Sequence, residues 1–370
     1  MSEVAVADAT SSTLPSVRDV LLERLDRSSV PGYRDDDYRL VVAVEGGGMR
    51  GAVSSGMLLA LEQLGLRNSV DVVVGTSAGA IAGAFFATSQ GTSGSVLYYT
   101  VLNSERFLNP KRLMREGSVL DLDYLINEAL DRHGFNWDDL INSDIPVWAT
   151  VTPVDADNPR RIFRVGENEA HARRVLAATA CLPVMAGPSR FVDDKEYVDG
   201  GMFDAVPWSS AIGFDATHVL VIRSRGFNDG KPEPLNRLER ATVPRLVKRM
   251  HGEYVSDVVS RSSDRFFRST EALRAVIEGR GTPVIAGGRD VRIEVVLPPK
   301  EVDLPERLEV DTHLLMDALA GGAQAMLEYL HLEGFRVEQR VVVNHPRAPV
   351  GKVRTSALAP IVSNRRRQTR

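Results

Sequence analysis

The sequence predicts an α/β fold with a mainly parallel central sheet flanked by helices on both faces. Two observations carry the prediction. The apolar run at 39–44 passes through a glycine cluster into a helix pattern at Val53, Met57, Leu61 and Leu64. The run at 70–74 likewise passes through Gly75 to Gly79 into the small-residue stretch 80–84. Strand, glycine turn and helix thus occur twice in succession, and near-continuous apolar strands are those covered on both faces, as in parallel sheets.

The remaining elements follow in order. Residues 1–37 form an N-terminal extension with one amphipathic helix over Val17, Leu21, Leu22 and Leu25. After the two strand-turn-helix units, 160–165 and 190–198 read as additional strands, and 218–222 as a buried one. The charged, proline-containing stretch 225–244 is expected to be loop. A long helix over 243–277, a strand at 291–297 and a helix at 311–329 complete the domain, with no internal repeat. The stretch 89–95, rich in glycine and serine, is expected as an interhelix loop, with a lid hinge as the alternative.

The chain has 370 residues, 43% hydrophobic content, one cysteine and a formal net charge of −4. It can bury a large core and needs no subdivision at this size. A single cysteine, Cys181, excludes intrachain disulfides and thiolate clusters, and no paired-histidine motif suggests a metal, so neither metal nor cofactor is expected. Neither a signal peptide nor a membrane-spanning run is read, so the expected location is cytoplasmic, with any lipid contact peripheral. No nucleic-acid partner is expected. The segment 346–370 carries Arg347, Lys352, Arg354, Arg365, Arg366, Arg367 and Arg370 without an acidic residue and is broken by three prolines. It is expected to be a disordered basic tail, either solubilising or attracted to an anionic membrane.

Three motifs carry chemistry. Gly75, Thr76, Ser77, Ala78 and Gly79 spell G-x-S-x-G between a strand and a helix, the setting of an exposed serine nucleophile on a sharp turn. Gly46, Gly47, Gly48, Met49, Arg50 and Gly51 form the glycine cluster after the first strand. Read as G-x-G-x-x-G it would suggest a dinucleotide site, but the acidic residue, Asp71, lies near the start of the next strand and not at its end. The alternative is an oxyanion hole in which Gly47 and Gly48 offer backbone N–H groups. Arg50 either pairs structurally, anchors the loop or meets an anionic headgroup. The third motif is Asp199, Gly200 and Gly201, an aspartate at a strand end followed by two glycines. Alone it is a turn.

Together, in this order and spacing, the three motifs resemble the patatin-like phospholipase family, over about residues 38–213. The small-residue stretch from Arg174 to Val184 is similar to the family's helix and proline turn, whereas Ala205 departs from its common asparagine. The stretch from Tyr98 to Leu125 is similar to the bacterial stand-alone branch. The resemblance implies a patatin-like three-layer sandwich, a catalytic domain at 38–345 and a Ser77–Asp199 dyad. It also implies a lipid or other acyl-ester substrate and cleavage of carboxylic esters through an acyl-enzyme. Transfer of the acyl group to another alcohol uses the same residues, and a non-catalytic lipid-binding module remains a further alternative. So does a histidine triad, with His218, His251, His313, His331 and His345 as candidates, none in a catalytic motif. For Asp199 to serve as base, burial would have to raise its pKa from the ordinary carboxylate range, or geometry would have to compensate.

Overall fold

The computed structural model of the chain describes residues 14–228, 237–280 and 284–332. His345 and the basic tail lie outside them. The helices used below are α1 (Val17–Asp26), α2 (Gly51–Gln63), α3 (Ala78–Ala87), α4 (Gly91–Thr100), α5 (Glu169–Thr179), α6 (Arg237–Ser260), α7 (Ser262–Ile277) and α8 (Thr312–Tyr329). The strands of the main sheet are β1 (Leu40–Val44), β2 (Val72–Gly75), β3 (Val147–Pro153), β4 (Ile162–Val165), β5 (Arg190–Val192), β6 (Lys195–Asp199), β7 (His218–Ile222) and β8 (Arg292–Val296).

These strands form one mixed, mostly parallel sheet in the order β8-β7-β1-β2-β3-β6-β5, with β4 on β3. The five strands from β8 to β3 are parallel neighbours, and β4, β5 and β6 are joined antiparallel. Alternation decides the layers. Val41, Ala43, Val72, Val74, Val219 and Val221 pack in one cluster with Leu273 and Ile277 of α7. Val73 points the other way, with its Cγ1 2.7 Å from where a Cβ on Gly83 of α3 would sit. On that second face α8 lies directly on α2. A Cβ on Gly56 would be 2.0 Å from the Leu319 carbonyl oxygen, and one on Gly322 2.0 Å from that of Val53, so only glycine permits this approach.

The pairing of β3 determines what faces what at the sheet's upper end. One edge of β3 carries β4 at 147–150, and Val151 N–H still donates to the Arg161 carbonyl on that side. The other edge pairs with β2 up to Ala149 opposite Gly75, and the antiparallel strand β6 pairs from Val151 opposite Asp199 onward. Since a strand has two edges, β6 occupies the edge that β2 vacates, and the end of β2 meets the end of β6.

The N-terminal helix α1 buries Val17, Val20 and Leu21. It is tied down by Arg24, 1% exposed, whose guanidinium reaches Asp36 and Asp71 at 2.7 Å each and the Ser69 carbonyl at 2.8 Å. Asp71 also accepts from Arg34 and from the Leu40 N–H, which occupies it at the opposite end of the strands from the glycine loops.

Three expectations are corrected. Residues 91–95 are not loop: they form the first turns of α4, where Gly94 lies against the Phe85 ring. The helix read as continuous over 243–277 is interrupted by Gly252, at φ 87° and ψ 173°, and by Arg261 between α6 and α7. A Pro within it, Pro244, is accommodated in α6, so helix begins inside the stretch expected to be loop.

Candidate active site

Strand β2 ends at Gly75 and α3 begins at Ala78, leaving Ser77 at the apex with φ 54° and ψ −126°. A left-handed φ in a non-glycine residue is strained and persists where surrounding contacts impose it. Those contacts are visible. A Cβ on Gly75 would fall 2.4 Å from the Ala80 Cα, and one on Gly79 2.5 Å from the Val44 carbonyl oxygen. The turn is pinned from below by threonines. Thr76 Oγ1 donates to the Asp204 carbonyl at 2.7 Å and lies 2.7 Å from Thr150 Oγ1. The Ser77 N–H donates to Thr179 Oγ1 at 2.9 Å, whose own proton goes to the Thr150 carbonyl at 2.7 Å.

Asp199 closes β6 and, through the strand exchange described above, lies against the serine turn. Its N–H donates to the Cys181 carbonyl at 2.9 Å, and its carbonyl accepts from Thr152 Oγ1 at 2.8 Å, which fixes the backbone. Its carboxylate Oδ1 accepts from the Gly201 N–H at 2.7 Å, and the Ser77 side chain is close enough to the same carboxylate to favour its charged form. Burial pushes this carboxyl up to about 6, against the opposing pull of the Gly201 N–H, the Ser77 side chain and the Arg307 charge. Gly200 is wedged on Thr150, with only 2.2 Å from its would-be Cβ to Oγ1.

The glycine loop divides into groups that are occupied and groups that are free. Gly46 N–H donates to the Ala205 carbonyl, Met49 N–H to the Arg307 carbonyl and Arg50 N–H to the Gly47 carbonyl, while Gly51 N–H is used within the turn. Among the described residues, the N–H groups of Gly47, Gly48 and Ala78 have no protein acceptor. Unpaired donors at a loop and a helix N-terminus are suited to an oxyanion. Gly48 takes φ 60° and comes so close to Arg307 that a Cβ would sit 2.6 Å from its carbonyl oxygen. Gly51 is pressed under Tyr98 in the same way.

Below the loop, Glu45 is fully buried and accepts from Arg223 Nε at 2.8 Å, Arg225 Nε at 2.9 Å and the Ser224 N–H at 2.9 Å. Burial alone would raise its pKa, but the two guanidiniums outweigh it and hold the group below the usual carboxylate range. Arg50 has a buried Nε without a partner and is pushed down to about 10 by burial and by the charges of Arg225 and Arg307. Arg307 was not singled out by the sequence. It sits in a charged, proline-flanked stretch with no motif, yet it clasps the glycine loop and lines the cavity containing Ser77. Arg307 nonetheless remains exposed to solvent.

That cavity has an empty volume of about 660 Å³, counting its open mouth. Gly48, Ser77 and Ala78 line it, and Ile81, Phe85, Leu97, Tyr98, Phe107 and Leu122 make its walls apolar. No histidine among the described residues lines it. His218 is buried at the start of β7 between Thr217 Oγ1 and the Pro15 carbonyl, at the opposite end of the strands from Ser77. His313 and His331 belong to α8 and the turn after it, and His251 is buried in α6.

The model of the family described as Patatin-like phospholipase matches residues 42–212, from the first strand through the aspartate turn. Over that segment, somewhat less than half of the chain, the sequence is similar to the patatin-like phospholipase family. YjjU of Escherichia coli (strain K12) is 27% identical over 190 residues, covering 50% of this chain and 52% of that protein. The mouse patatin-like phospholipase domain-containing protein 7 is 27% identical over 191 residues, and the neuropathy target esterase sws of Drosophila melanogaster 28% over 185. The matched part spans only 13% and 12% of these two animal proteins. The patatin-like segment contains Ser77, Asp199 and the glycine loop. Arg307 lies beyond its C-terminal limit.

Proposed function

We propose that the protein is a serine esterase that hydrolyses carboxylic esters of lipids or phospholipids, with Ser77 as nucleophile and Asp199 as base. The reading rests on one observation above all: Ser77 stands beside a buried carboxylate whose charged form it favours, in an apolar cavity lined also by Gly48 and Ala78, whose backbone N–H groups have no acceptor among the described residues. The names of the family and of its animal relatives point to the same chemistry.

Asp199 accepts the hydroxyl proton as Ser77 Oγ attacks the ester carbonyl. The developing oxyanion is met by the N–H groups of Gly47 and Gly48, with that of Ala78 completing the set. Asp199 then gives the proton to the departing alkoxide, leaving an acyl group on Ser77. Water enters, loses a proton to Asp199 and attacks the acyl-enzyme, and the proton returns to Ser77 Oγ as the fatty acid leaves. A carboxyl near 6 suits both directions of transfer better than an ordinary aspartate would, since it is ionised at neutral pH and still basic enough to accept a proton. The acyl chain lies along Ile81, Phe85 and Leu97. The working location is the cytoplasm, in peripheral contact with lipid, and the catalytic domain is 38–345. No helix among the described residues is long and apolar enough to cross a membrane.

A fluorophosphonate probe followed by peptide mass spectrometry tests the nucleophile. Adduct on Ser77, lost in Ser77→Ala together with fatty-acid release from mixed lipids, is expected. Undiminished release by Ser77→Ala would exclude the mechanism.

A further inference from the structure

The cavity wall continues into a projecting tip that the proposed chemistry does not use. Phe107 and Leu120 line the cavity, and the chain between them leaves and returns through a β-bridge at Leu108 and Leu120, with Asn109 N–H donating to the Val119 carbonyl at 2.9 Å. The excursion contains a short turn at Pro110–Arg112 and a single helical turn at Leu113–Glu116, closed by Gly117 at φ 73°. Asn109 caps it by accepting from the Lys111 N–H at 3.0 Å. Arg112 braces it from beneath, donating to the Arg106 carbonyl at 2.7 Å and pairing with Asp121 at 3.6 Å and Glu116 at 3.3 Å.

What this held tip presents outward is unusual. Met114 is 95% exposed and Leu113 36% exposed. Lys111 and Arg115 are exposed beside them, with no carboxylate partner among the described residues, while the one acidic side chain of the turn, Glu116, is paired with Arg112. Two apolar side chains between free cations, on a tip at the rim of an apolar cavity, have the composition of an interfacial lipid anchor. A protein partner is a poor fit, because one convex helical turn offers far less than the roughly 800 Å² per side of a stable interface. A bilayer accepts a small apolar wedge, and anionic headgroups complement the two cations.

We infer that the tip at 110–117 docks the cavity mouth onto an anionic membrane surface, with Leu113 and Met114 inserted and Lys111 and Arg115 at headgroup level. The inference rests on the lipid-ester reading for its purpose, but the docking can be measured without turnover. Its test uses the full chain with Ser77→Ala and Met114→Cys, labelled with an environment-sensitive fluorophore; the one native cysteine, Cys181, is buried. Vesicles of mixed phosphatidylglycerol and phosphatidylcholine are expected to give a blue shift that weakens in high salt and with pure phosphatidylcholine. In the otherwise native chain, Leu113→Glu with Met114→Glu is expected to weaken vesicle binding about tenfold or more while leaving hydrolysis of a short soluble ester unchanged. Vesicle binding without a spectral change at position 114, or absence of binding, would overturn the inference. A spectral change with no fluorophosphonate adduct on native Ser77 would overturn the esterase reading and leave the docking standing.

Discussion

Asp199 should make the folded protein less stable at neutral pH than it would be without a charge there. Its carboxyl is pushed from 3.8 to about 6 mainly by burial, and that difference corresponds to about 3 kcal/mol. Because the folded chain binds this proton more tightly than the unfolded chain does, the penalty is absent below pH 3.8. It grows as pH rises through the window to about 6 and is complete above it. Asp199→Asn keeps an oxygen to accept from the Gly201 N–H and removes the charge, so the variant should gain up to about 3 kcal/mol at pH 7 and nothing at pH 3.5. For a chain of this length that is about 4–5 °C in Tm. Asp204 is also pushed up to about 6 by burial, and it contributes a slope of its own to the native curve. It is present in both proteins, so the difference between their melting curves isolates Asp199. The assay is a pair of thermal melts across pH 3.5 to 8. A Tm difference that stays constant with pH, or has the opposite sign at pH 7, would show that burial does not govern this carboxyl.

The same carboxyl should control turnover. Activity on a soluble ester is expected to fall as pH drops through about 6, and Arg307→Met should move that acid limb to higher pH, because a neighbouring positive charge that favours the carboxylate is lost. An unmoved limb would mean that Arg307 acts only through its backbone. Gly48→Ala places a Cβ at φ 60° and 2.6 Å from the Arg307 carbonyl oxygen, so it should cost about 1–3 kcal/mol of stability by denaturant titration and reduce kcat more than it raises KM.

The serine turn and glycine loop were legible because their chemistry is local. A sharp strand-to-helix turn requires small residues at fixed offsets, and Gly75 and Gly79 stand where a side chain would collide. The parallel core was legible for a similar reason, since strands buried on both faces are written as unbroken valine and leucine. The route that brings Asp199 to Ser77 was not: it depends on β6 taking the edge of β3 that β2 vacates, a pairing between distant segments that leaves no periodic mark. Arg307 was invisible on the same grounds, since a carbonyl contact to Met49 imposes nothing on the side chain that sequence reading can detect. The serine-rich stretch at 91–95 misled because propensity argued for loop, whereas Gly94 is required by the Phe85 ring that packs on α4. Propensity yields to packing in such places.

The clasp between Met49 and Arg307 joins an early turn of the chain to one near the end of its described part. Ribosomes deliver those segments in order, and a growing polypeptide that already contains Ser77 and Asp199 still lacks the residue that clasps its glycine loop. A nascent chain of this protein would therefore carry the proposed nucleophile, Ser77, with an unclasped glycine loop until residue 307 has been made. On the proposed mechanism, hydrolytic competence would wait for that segment, after the helices and strands that surround Ser77 have had time to close.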